Sequence, residues 1–187
     1  LMGYCLENMK EDLIIDNVQK IADIILKESI DNGFGKAKDD MTIIAIKVKK
    51  LKEQAILPTY GSAEAAGADL YACLSAPVEI AAGETVFIPT GLAMELPKNC
   101  AGLIYARSGL ACKSDLAPAN KVGVIDSDYR GEFIVALHNH GAQMRTVCHG
   151  DRIAQLVVTP VFTPGFCQVD ELNDTVRAEK GFGSTGK

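Results

Sequence analysis

The chain has 187 residues, of which 48% are hydrophobic and 23% are charged, values that are ordinary for a folded globular protein. Its formal net charge of −5 argues against a broad electrostatic grip on DNA or RNA, although a few arginines and a metal ion would neutralise a single nucleotide. No apolar run approaches the roughly 20 residues that span a bilayer, and residues 1–10 lack the layout of a signal peptide. We therefore expect a cytoplasmic protein with no nucleic-acid or membrane partner.

Six cysteines are scattered along the chain, and no two of them form a C-x-x-C pair. In a chain without an export signal, such cysteines are most often reduced, small apolar residues rather than disulfides or zinc ligands. This interpretation applies to Cys5, Cys73, Cys100, Cys112, Cys148 and Cys167.

Residues 1–50 form a segment unlike the rest of the chain. Apolar residues at spacings of four, three and four predict one face of a helix, at Ile14, Val18, Ile21 and Ile25. Gly33 ends this helix because glycine tolerates the left-handed conformation. Residues 41–48 are rich in β-branched side chains and predict a strand, and we interpret the lysines around its end as a solvated edge.

From residue 51 onward, short apolar runs are separated by Gly, Pro, Asn and Asp, and turn signals recur about every ten residues. The alternation is clearest where Phe133, Val135 and Leu137 share one face of a strand. No helical period longer than two turns is present in this part of the sequence. The pattern predicts an all-β sandwich or barrel, with strands at 85–88, 102–105, 132–139 and 153–159.

Residues 123–131 read GVIDSDYRG, in which an apolar pair leads into two acidic residues and an aromatic before a strand resumes. One interpretation is an exposed acidic hairpin turn. The other is that Asp126 orients and deprotonates a water beside a metal-bound phosphate. This stretch alone leaves both interpretations open.

Two further segments carry groups that suit phosphate. Residues 106–111 read ARSGLA, in which Arg107 offers a forked donor while Ser108 and the following glycine expose a hydroxyl and a backbone N–H. Residues 150–155 read GDRIAQ, in which Asp151 could pair with an arginine and Gln155 could donate to phosphate. Each segment also fits an ordinary loop or turn, so neither decides the function alone.

Asp69 lies at the start of an apolar strand, within the sequence AGADLYA. A carboxylate in such surroundings needs a partner, which a hydrated Mg²⁺ or a neighbouring arginine would supply.

The C-terminal tail reads RAEKGFGSTG over residues 177–186 and is too rich in glycine to fold by itself. We interpret it as a flexible lid, in which Phe182 stacks on a base while Arg177, Ser184 and Thr185 reach phosphates.

In this order and spacing, the five segments resemble the five motifs of the trimeric dUTP diphosphatase (dUTPase) family over about residues 51–187. The resemblance implies a jelly-roll-like β-barrel subunit in a homotrimer. It also implies shared active sites, with the first, second and fourth motifs from one subunit, the third from another and the tail from the remaining one. The implied reaction is attack of water on the α-phosphorus of dUTP, giving dUMP and pyrophosphate with Mg²⁺ as cofactor.

The resemblance implies a role for each matching residue. Asp126 would position and activate the water, and Asp69 would contact Mg²⁺ through its water shell. Tyr129 would pack under the deoxyribose and exclude a 2′-hydroxyl, and Asp151 would steady Arg107. The implied substrate-binding residues are Arg107, Ser108, Gly109 and Gln155 for the phosphates, Asn120 and Gly123 for the uracil edge, and Arg177, Phe182, Gly183, Ser184 and Thr185 in the closing tail.

The sequence departs from the family pattern at three positions. Ala106 stands where the family commonly has proline, which changes the stiffness of that loop. Ala178 and Lys180 stand where the tail of the family has glycine, which changes the flexibility of the lid.

Residues 1–50 resemble the C-terminal end of a PP2C-type serine/threonine phosphatase of the sporulation-stage kind, on the sequence KAKDDMT followed by an apolar strand. The resemblance implies that Asp40 is a metal ligand, but the motifs that supply the other ligands are missing. We therefore expect no phosphatase activity and interpret residues 1–50 as a truncated gene fused to, or read through into, the next one. Met41 would then be the original start of the hydrolase.

Three alternatives to dUTP hydrolysis stay open. A dCTP deaminase has the same fold but uses a glutamate near the third motif, where this chain has Asp126. A non-catalytic regulatory trimer would bind nucleotide without releasing pyrophosphate. A metal-binding protein would use His138, His140, Cys148 and His149, although ordinary strand histidines explain that group better.

Overall fold

The computed structural model describes residues 46–176 and 178–179. The predicted N-terminal helix and residues 41–45 of the predicted first strand lie outside the described residues. The described part of the chain contains eleven strands and one short helix: β1 (Lys47–Lys50), β2 (Thr59–Tyr60), β3 (Ala68–Tyr71), β4 (Val78–Ile80), β5 (Thr85–Glu95), β6 (Cys100–Tyr105), α1 (Ser108–Ser114), β7 (Leu116–Pro118), β8 (Val122–Ile125), β9 (Glu132–Asn139), β10 (Arg145–Val147) and β11 (Arg152–Pro160).

The strands form three antiparallel sheets, in the orders β1-β5-β9-β7, β2-β3-β11-β6-β8 and β10-β4. Buried side chains from all three sheets belong to one hydrophobic core. The all-β class is therefore confirmed. The described residues show no closed barrel, because closure requires hydrogen bonds between edge strands and the three sheets stay separate.

β9 spans the predicted residues 132–139 and shows the predicted alternation. Phe133, Val135 and Leu137 are buried, whereas Ile134 is 45% exposed. A strand with one face in a core and one face outward requires this period of two. β9 thereby connects the core to the acidic turn that precedes it.

β5 runs to Glu95, well beyond the predicted residues 85–88. Its register with β9 shifts between Pro89 and Ala93, so a bulge absorbs residues that read as a turn in the sequence. Within this bulge Gly91 has φ 70°, and a Cβ there would lie 2.8 Å from the Cys73 sulfur. The Gly91 N–H donates to the Glu132 carboxylate at 2.7 Å, which fixes the first residue of β9.

β1 pairs with β5 in a continuous register from Lys47 opposite Glu95 to Lys50 opposite Leu92. Ile46 and Val48 pack against the hydrophobic core. Residues 47–50, assigned to the N-terminal extension on sequence grounds, thus form an edge strand of the larger fold.

Asn139 is a buried polar residue at the end of β9 that connects three segments. Its side-chain amide donates to the Ile80 carbonyl at 2.9 Å and to the Gln143 carbonyl at 2.8 Å. Its side-chain oxygen accepts from the Gly141 N–H at 3.0 Å. Because Asn139 is 0% exposed, loss of its amide donors would remove these two hydrogen bonds from a place that water does not reach.

We predict that Asn139→Asp lowers the free energy of unfolding by about 3 kcal/mol or more, because a buried carboxylate would face two carbonyl oxygens. Such surroundings raise the pKa of the new carboxyl in the folded state. The penalty is therefore full above that raised pKa, and it shrinks as the pH falls and the carboxyl gains a proton. Thermal unfolding of variant and parent across a pH series measures the difference.

The matched control is Asn99→Asp, because Asn99 is exposed and its φ of 60° is one that aspartate also tolerates. We expect this variant to unfold within about 0.5 kcal/mol of the parent. Equal losses in the two variants would contradict the role given to the Asn139 amide.

Candidate active site

Three neighbouring strands place polar side chains in one row. Gln155 of β11 lies opposite Asp69 of β3 on one side and opposite Tyr105 of β6 on the other. The chain leaves β6 directly after Tyr105, so Arg107 and the start of α1 lie beside this row. The sheet register thereby brings together residues that are far apart in sequence.

Asp69 lies between two arginines in this row. Its carboxylate accepts from Arg107 Nε at 2.6 Å and from Arg152 at 3.3 Å. The Asp69 side chain is only 12% exposed, so it needs such charged donors. The sequence left open a hydrated Mg²⁺ or an arginine as the partner of Asp69, and the structure shows two arginines.

Arg152 was not singled out from the sequence, yet it lines the same cleft as Arg107. Its side chain is 51% exposed, and its backbone carbonyl accepts from Arg107 at 3.4 Å. The signal that would have identified it is its place at the start of β11, three residues before Gln155.

Gln155 holds the loop that carries Arg107. Its side-chain amide donates to the Ala106 carbonyl at 2.8 Å. Its side-chain oxygen packs so closely on Gly67 that a Cβ there would lie 2.6 Å from it. Gln155 therefore joins the segments around Asp69, Arg107 and β11 into one rigid unit.

These residues surround an open cleft of about 300 Å³. Ser108 and Gly109 are exposed in the first turn of α1, where backbone N–H groups lack helical acceptors. The cleft is thus rich in hydrogen-bond donors, and is lined by Gly61, Ala65, Gly67, Asp69, Arg107, Ser108, Gly109, Arg152 and Gln155.

Asp151, predicted to steady Arg107, makes no ion pair with it in the described residues. The Asp151 carboxylate accepts from the Cys148 N–H at 2.7 Å, which closes the turn before β11. Arg107 has Asp69 as its carboxylate partner instead, because the sheet register aligns β3 with the end of β6. Asp151 supports the site only by shaping the entry to β11.

The predicted catalytic residue lies in a second group, on the turn between β8 and β9. Asp126 is exposed directly after β8, and its carbonyl accepts from the Tyr129 N–H at 3.1 Å. Arg130 closes the turn by donating to the carbonyls of Ser127 at 2.7 Å and Tyr129 at 2.9 Å. The Tyr129 hydroxyl donates to the Glu132 carbonyl at 3.1 Å.

Asn120 and Gly123 lie at the other end of β8. Gly123 is buried, and a Cβ there would lie 3.3 Å from both the Asn120 amide nitrogen and the Ile104 Cβ. The Asn120 side chain therefore lies over the Gly123 backbone, and the two form one surface.

Asp126 and the arginine cleft are at opposite ends of β6 in a single chain. Val122 lies opposite Tyr105, next to the cleft, and Ile125 lies opposite Gly102. Asp126 comes four residues after Val122. At roughly 3.3 Å per residue, the two lie about 13 Å apart along the strand. The predicted catalytic carboxylate is thus remote from the cleft of its own chain.

The tail residues fall mostly outside the described residues: Arg177, Phe182, Gly183, Ser184 and Thr185. Ala178 is described, and it has φ 44° with its N–H donating to the Thr175 carbonyl at 3.1 Å. Glycine adopts this left-handed conformation at lower cost than alanine, so the alanine at this position restricts the backbone where the tail begins.

His138 near the end of β9 and His140 just after β9 form a small group near the surface. The rings of His138 and His140 meet edge to face at 4.4 Å between centroids, and His138 Nδ1 is 2.8 Å from the Thr85 hydroxyl. Local desolvation, with Lys121 and His138, lowers the pKa of His140, while Asp115 opposes this shift. Within residues 46–176 and 178–179, no three His, Cys, Asp or Glu side chains are grouped to hold a metal ion.

The all-β fold thus presents an open cleft lined by two arginines, a serine and a glutamine, a donor set that is typical of proteins that bind an anionic small molecule. In the part of the chain that the structure describes, no helix is long and apolar enough to cross a membrane.

Comparison with known proteins identifies the family. The dUTPase family model matches residues 53–186. The chain is 50% identical over 149 residues to the deoxyuridine 5′-triphosphate nucleotidohydrolase of Desulfitobacterium hafniense (strain DSM 10664 / DCB-2), covering 78% of this chain and 99% of that protein. The protein of the same name from Syntrophotalea carbinolica is 46% identical over 146 residues, with the same coverage.

Solved structures of dUTPases are also similar to this chain. The Staphylococcus bacteriophage 80alpha dUTPase with dUPNHPP has a TM-score of 0.71 and 28% identity, covering 76% of this chain and 99% of that chain. The dUTPase from phage phi11 of S. aureus has a TM-score of 0.64 and 25% identity, covering 70% of this chain and 99% of that chain. The chain belongs to the dUTPase family, which confirms the dUTPase resemblance seen in the sequence.

Proposed function

We propose that this chain hydrolyses dUTP to dUMP and pyrophosphate. The observation that carries the proposal is the cleft in which Asp69 holds Arg107 and Arg152, in a member of the dUTPase family. Two of its relatives are named deoxyuridine 5′-triphosphate nucleotidohydrolases. A related phage dUTPase has been solved with dUPNHPP, which supports a nucleotide with a phosphate chain as the ligand.

The cleft binds the phosphate chain. Arg107 and Arg152 keep unused guanidinium donors after pairing with Asp69, because each guanidinium has five N–H groups. Ser108 and Gly109 add a hydroxyl and backbone N–H groups at the cleft wall. Gln155 directs its amide to the Ala106 carbonyl, so its main contribution is to hold the phosphate-binding loop in position.

The β8 surface and the following turn bind the nucleoside. Asn120 and the backbone around Gly123 read the uracil edge. Tyr129 packs against the deoxyribose and leaves no space for a 2′-hydroxyl, which its 43% exposure to solvent supports.

Asp126 performs the chemical step. Its carboxylate orients a water and accepts a proton as the water oxygen bonds to the α-phosphorus. The bond from that phosphorus to the bridging oxygen breaks, and pyrophosphate leaves with the bonding electrons. The exposed position of Asp126 after β8 allows a water and a phosphate to approach it.

Mg²⁺ fits this site as a companion of the substrate. Mg²⁺ commonly keeps several waters and binds through substrate phosphates with one or two carboxylates, so a cage of several protein ligands is not required. Asp69 has both oxygens engaged by arginines, and its predicted contact with the ion through water is an outer contact. When bound, the ion neutralises phosphate charge.

The active unit is a homotrimer with shared sites. The distance of about 13 Å along β8 between Asp126 and the cleft of its own chain supports a neighbouring subunit as the source of the catalytic carboxylate. After β11, four apolar side chains are almost fully exposed in the single chain: Phe162 at 97%, Phe166 at 99%, Leu172 at 87% and Val176. Exposed apolar surface of this kind marks contact with a partner, which supports burial of this segment against neighbouring subunits. Residues 177–187 then close the site as a lid.

Residues 1–45 have no assigned part in this reaction, since the family match begins at residue 53. Their similarity to a phosphatase C-terminus stays a hypothesis. The hydrolase domain of this proposal includes β1, because β1 pairs with β5.

A substrate panel tests the proposal. The full chain with Mg²⁺ is incubated with dUTP, dTTP, dCTP and UTP, and pyrophosphate and ammonia are measured. We expect pyrophosphate from dUTP alone. Ammonia from dCTP would indicate the deaminase, and nucleotide binding without pyrophosphate would indicate the regulatory trimer; either result would overturn the proposal.

A further inference from the structure

The turn after Asp126 folds the Tyr129 ring back over Gly131. A Cβ built at Gly131 would lie 2.5 Å from Tyr129 Cζ and 3.0 Å from Cε2, and it would be nearer still to the hydroxyl oxygen. Real Cβ atoms do not approach other atoms this closely. The present position of the ring is therefore possible only with glycine at residue 131.

The need for glycine at this position comes from packing and not from backbone conformation. The glycines with positive φ are Gly83, Gly91 and Gly150 among the described residues, and Gly131 is not one of them. An alanine would avoid the left-handed strain of those three positions, and the three atoms nearest to its methyl group would all belong to Tyr129. The constraint thus links these two residues specifically.

Two other contacts restrain the same ring. Its hydroxyl donates to the Glu132 carbonyl at 3.1 Å, and its centroid is 6.2 Å from that of Phe133, which is fully buried. Phe133 connects the ring to the core, Glu132 holds its far end, and Gly131 allows the close approach between them. The other side of the ring stays exposed.

We propose that Gly131 is a specificity-determining positioning residue, which sets the Tyr129 ring at the depth where it accepts a deoxyribose and excludes a ribose. This inference rests on the proposed function, in which Tyr129 contacts the sugar. Exclusion of a single hydroxyl by contact requires a wall that does not move. A side chain at residue 131 displaces the ring from its place and breaks its bond to Glu132.

The test measures kcat/KM for dUTP and for UTP in Gly131→Ala. We expect the ratio of dUTP to UTP to fall at least about tenfold, because the sugar pocket loses its fixed wall. A merely structural role would lower both values together and leave the ratio unchanged. The matched control is Gly83→Asn, because Gly83 is exposed, a Cβ there meets nothing within 4 Å and asparagine tolerates its φ of 73°. The ratio should not change in this variant.

A double-mutant cycle with Tyr129→Ala separates the causes. When the ring is absent, adding Gly131→Ala should change the ratio by less than about twofold and should leave the melting temperature at that of Tyr129→Ala. An unchanged ratio in Gly131→Ala, beside a reduced ratio in Tyr129→Ala, would overturn the role of Gly131 alone. An unchanged ratio in Tyr129→Ala would overturn the sugar contact as well, and a parent inactive on dUTP would overturn the proposed function itself.

Discussion

Replacement of Asp126 by asparagine is expected to lower kcat for dUTP by about 10³-fold, within the range that general-base catalysis contributes. Asparagine keeps the size and the hydrogen-bonding oxygen of the side chain but cannot accept the proton of the attacking water. Steady-state pyrophosphate release gives kcat, and calorimetry with dUPNHPP gives the affinity of the site. We expect the affinity to change only a few-fold, since the phosphate donors are on other residues.

Asp128→Asn is the matched control for this experiment. Asp128 is exposed in the same turn and carries the same charge, so its removal changes the local potential equally. The kcat of Asp128→Asn should stay within about twofold of the parent, because a screened surface charge has a small effect on catalysis. If both variants lost activity alike, the general field of the turn would explain the result and Asp126 would have no special part.

Co-expression of two inactive variants is expected to restore activity. Asp126→Asn retains the cleft, and Arg107→Ala retains the acidic turn. In a cyclic trimer that contains both chains, one interface in three combines an intact cleft with an intact Asp126. Heterotrimers purified through two different affinity tags should therefore have about a third of the parental kcat, against almost none for either variant alone.

The control pairs Asp126→Asn with Asp126→Ala, two changes in the same half of the site. No arrangement of these chains rebuilds an intact site, so activity should stay absent. Absence of recovery in the first pair would mean that Asp126 and Arg107 of one chain act together. That result would contradict the distance of Asp126 from the cleft along β8.

Some of this molecule was predictable from its sequence, because the responsible forces are local. The alternation of β9 between core and surface is visible in its residues, and the prediction for 132–139 is confirmed at both ends. β5 was predicted too short because Pro89 and Gly91 read as a turn, whereas a bulge accommodates them in the sheet. The helix α1 was missed because seven residues that begin with Ser-Gly have too little periodicity to reveal it.

The pairing of the site residues depends on long-range register, which a sequence does not display. Asp69 and Arg107 contact each other only because β11 aligns β3 with β6. The same alignment draws Arg152 into the cleft and leaves Asp151 in a turn. The roles of the individual residues in dUTP hydrolysis stay predictions until the variants above are measured.

The pairing of Asp69 with two arginines also bears on the entropy of binding. A long charged side chain loses about 1.5–2 kcal/mol of rotamer freedom when it is immobilised. In this fold Arg107 and Arg152 are already paired with Asp69, so in the proposed function we expect the phosphates to meet donors that need little further ordering. We therefore expect more of the electrostatic attraction to be retained as affinity for the nucleotide.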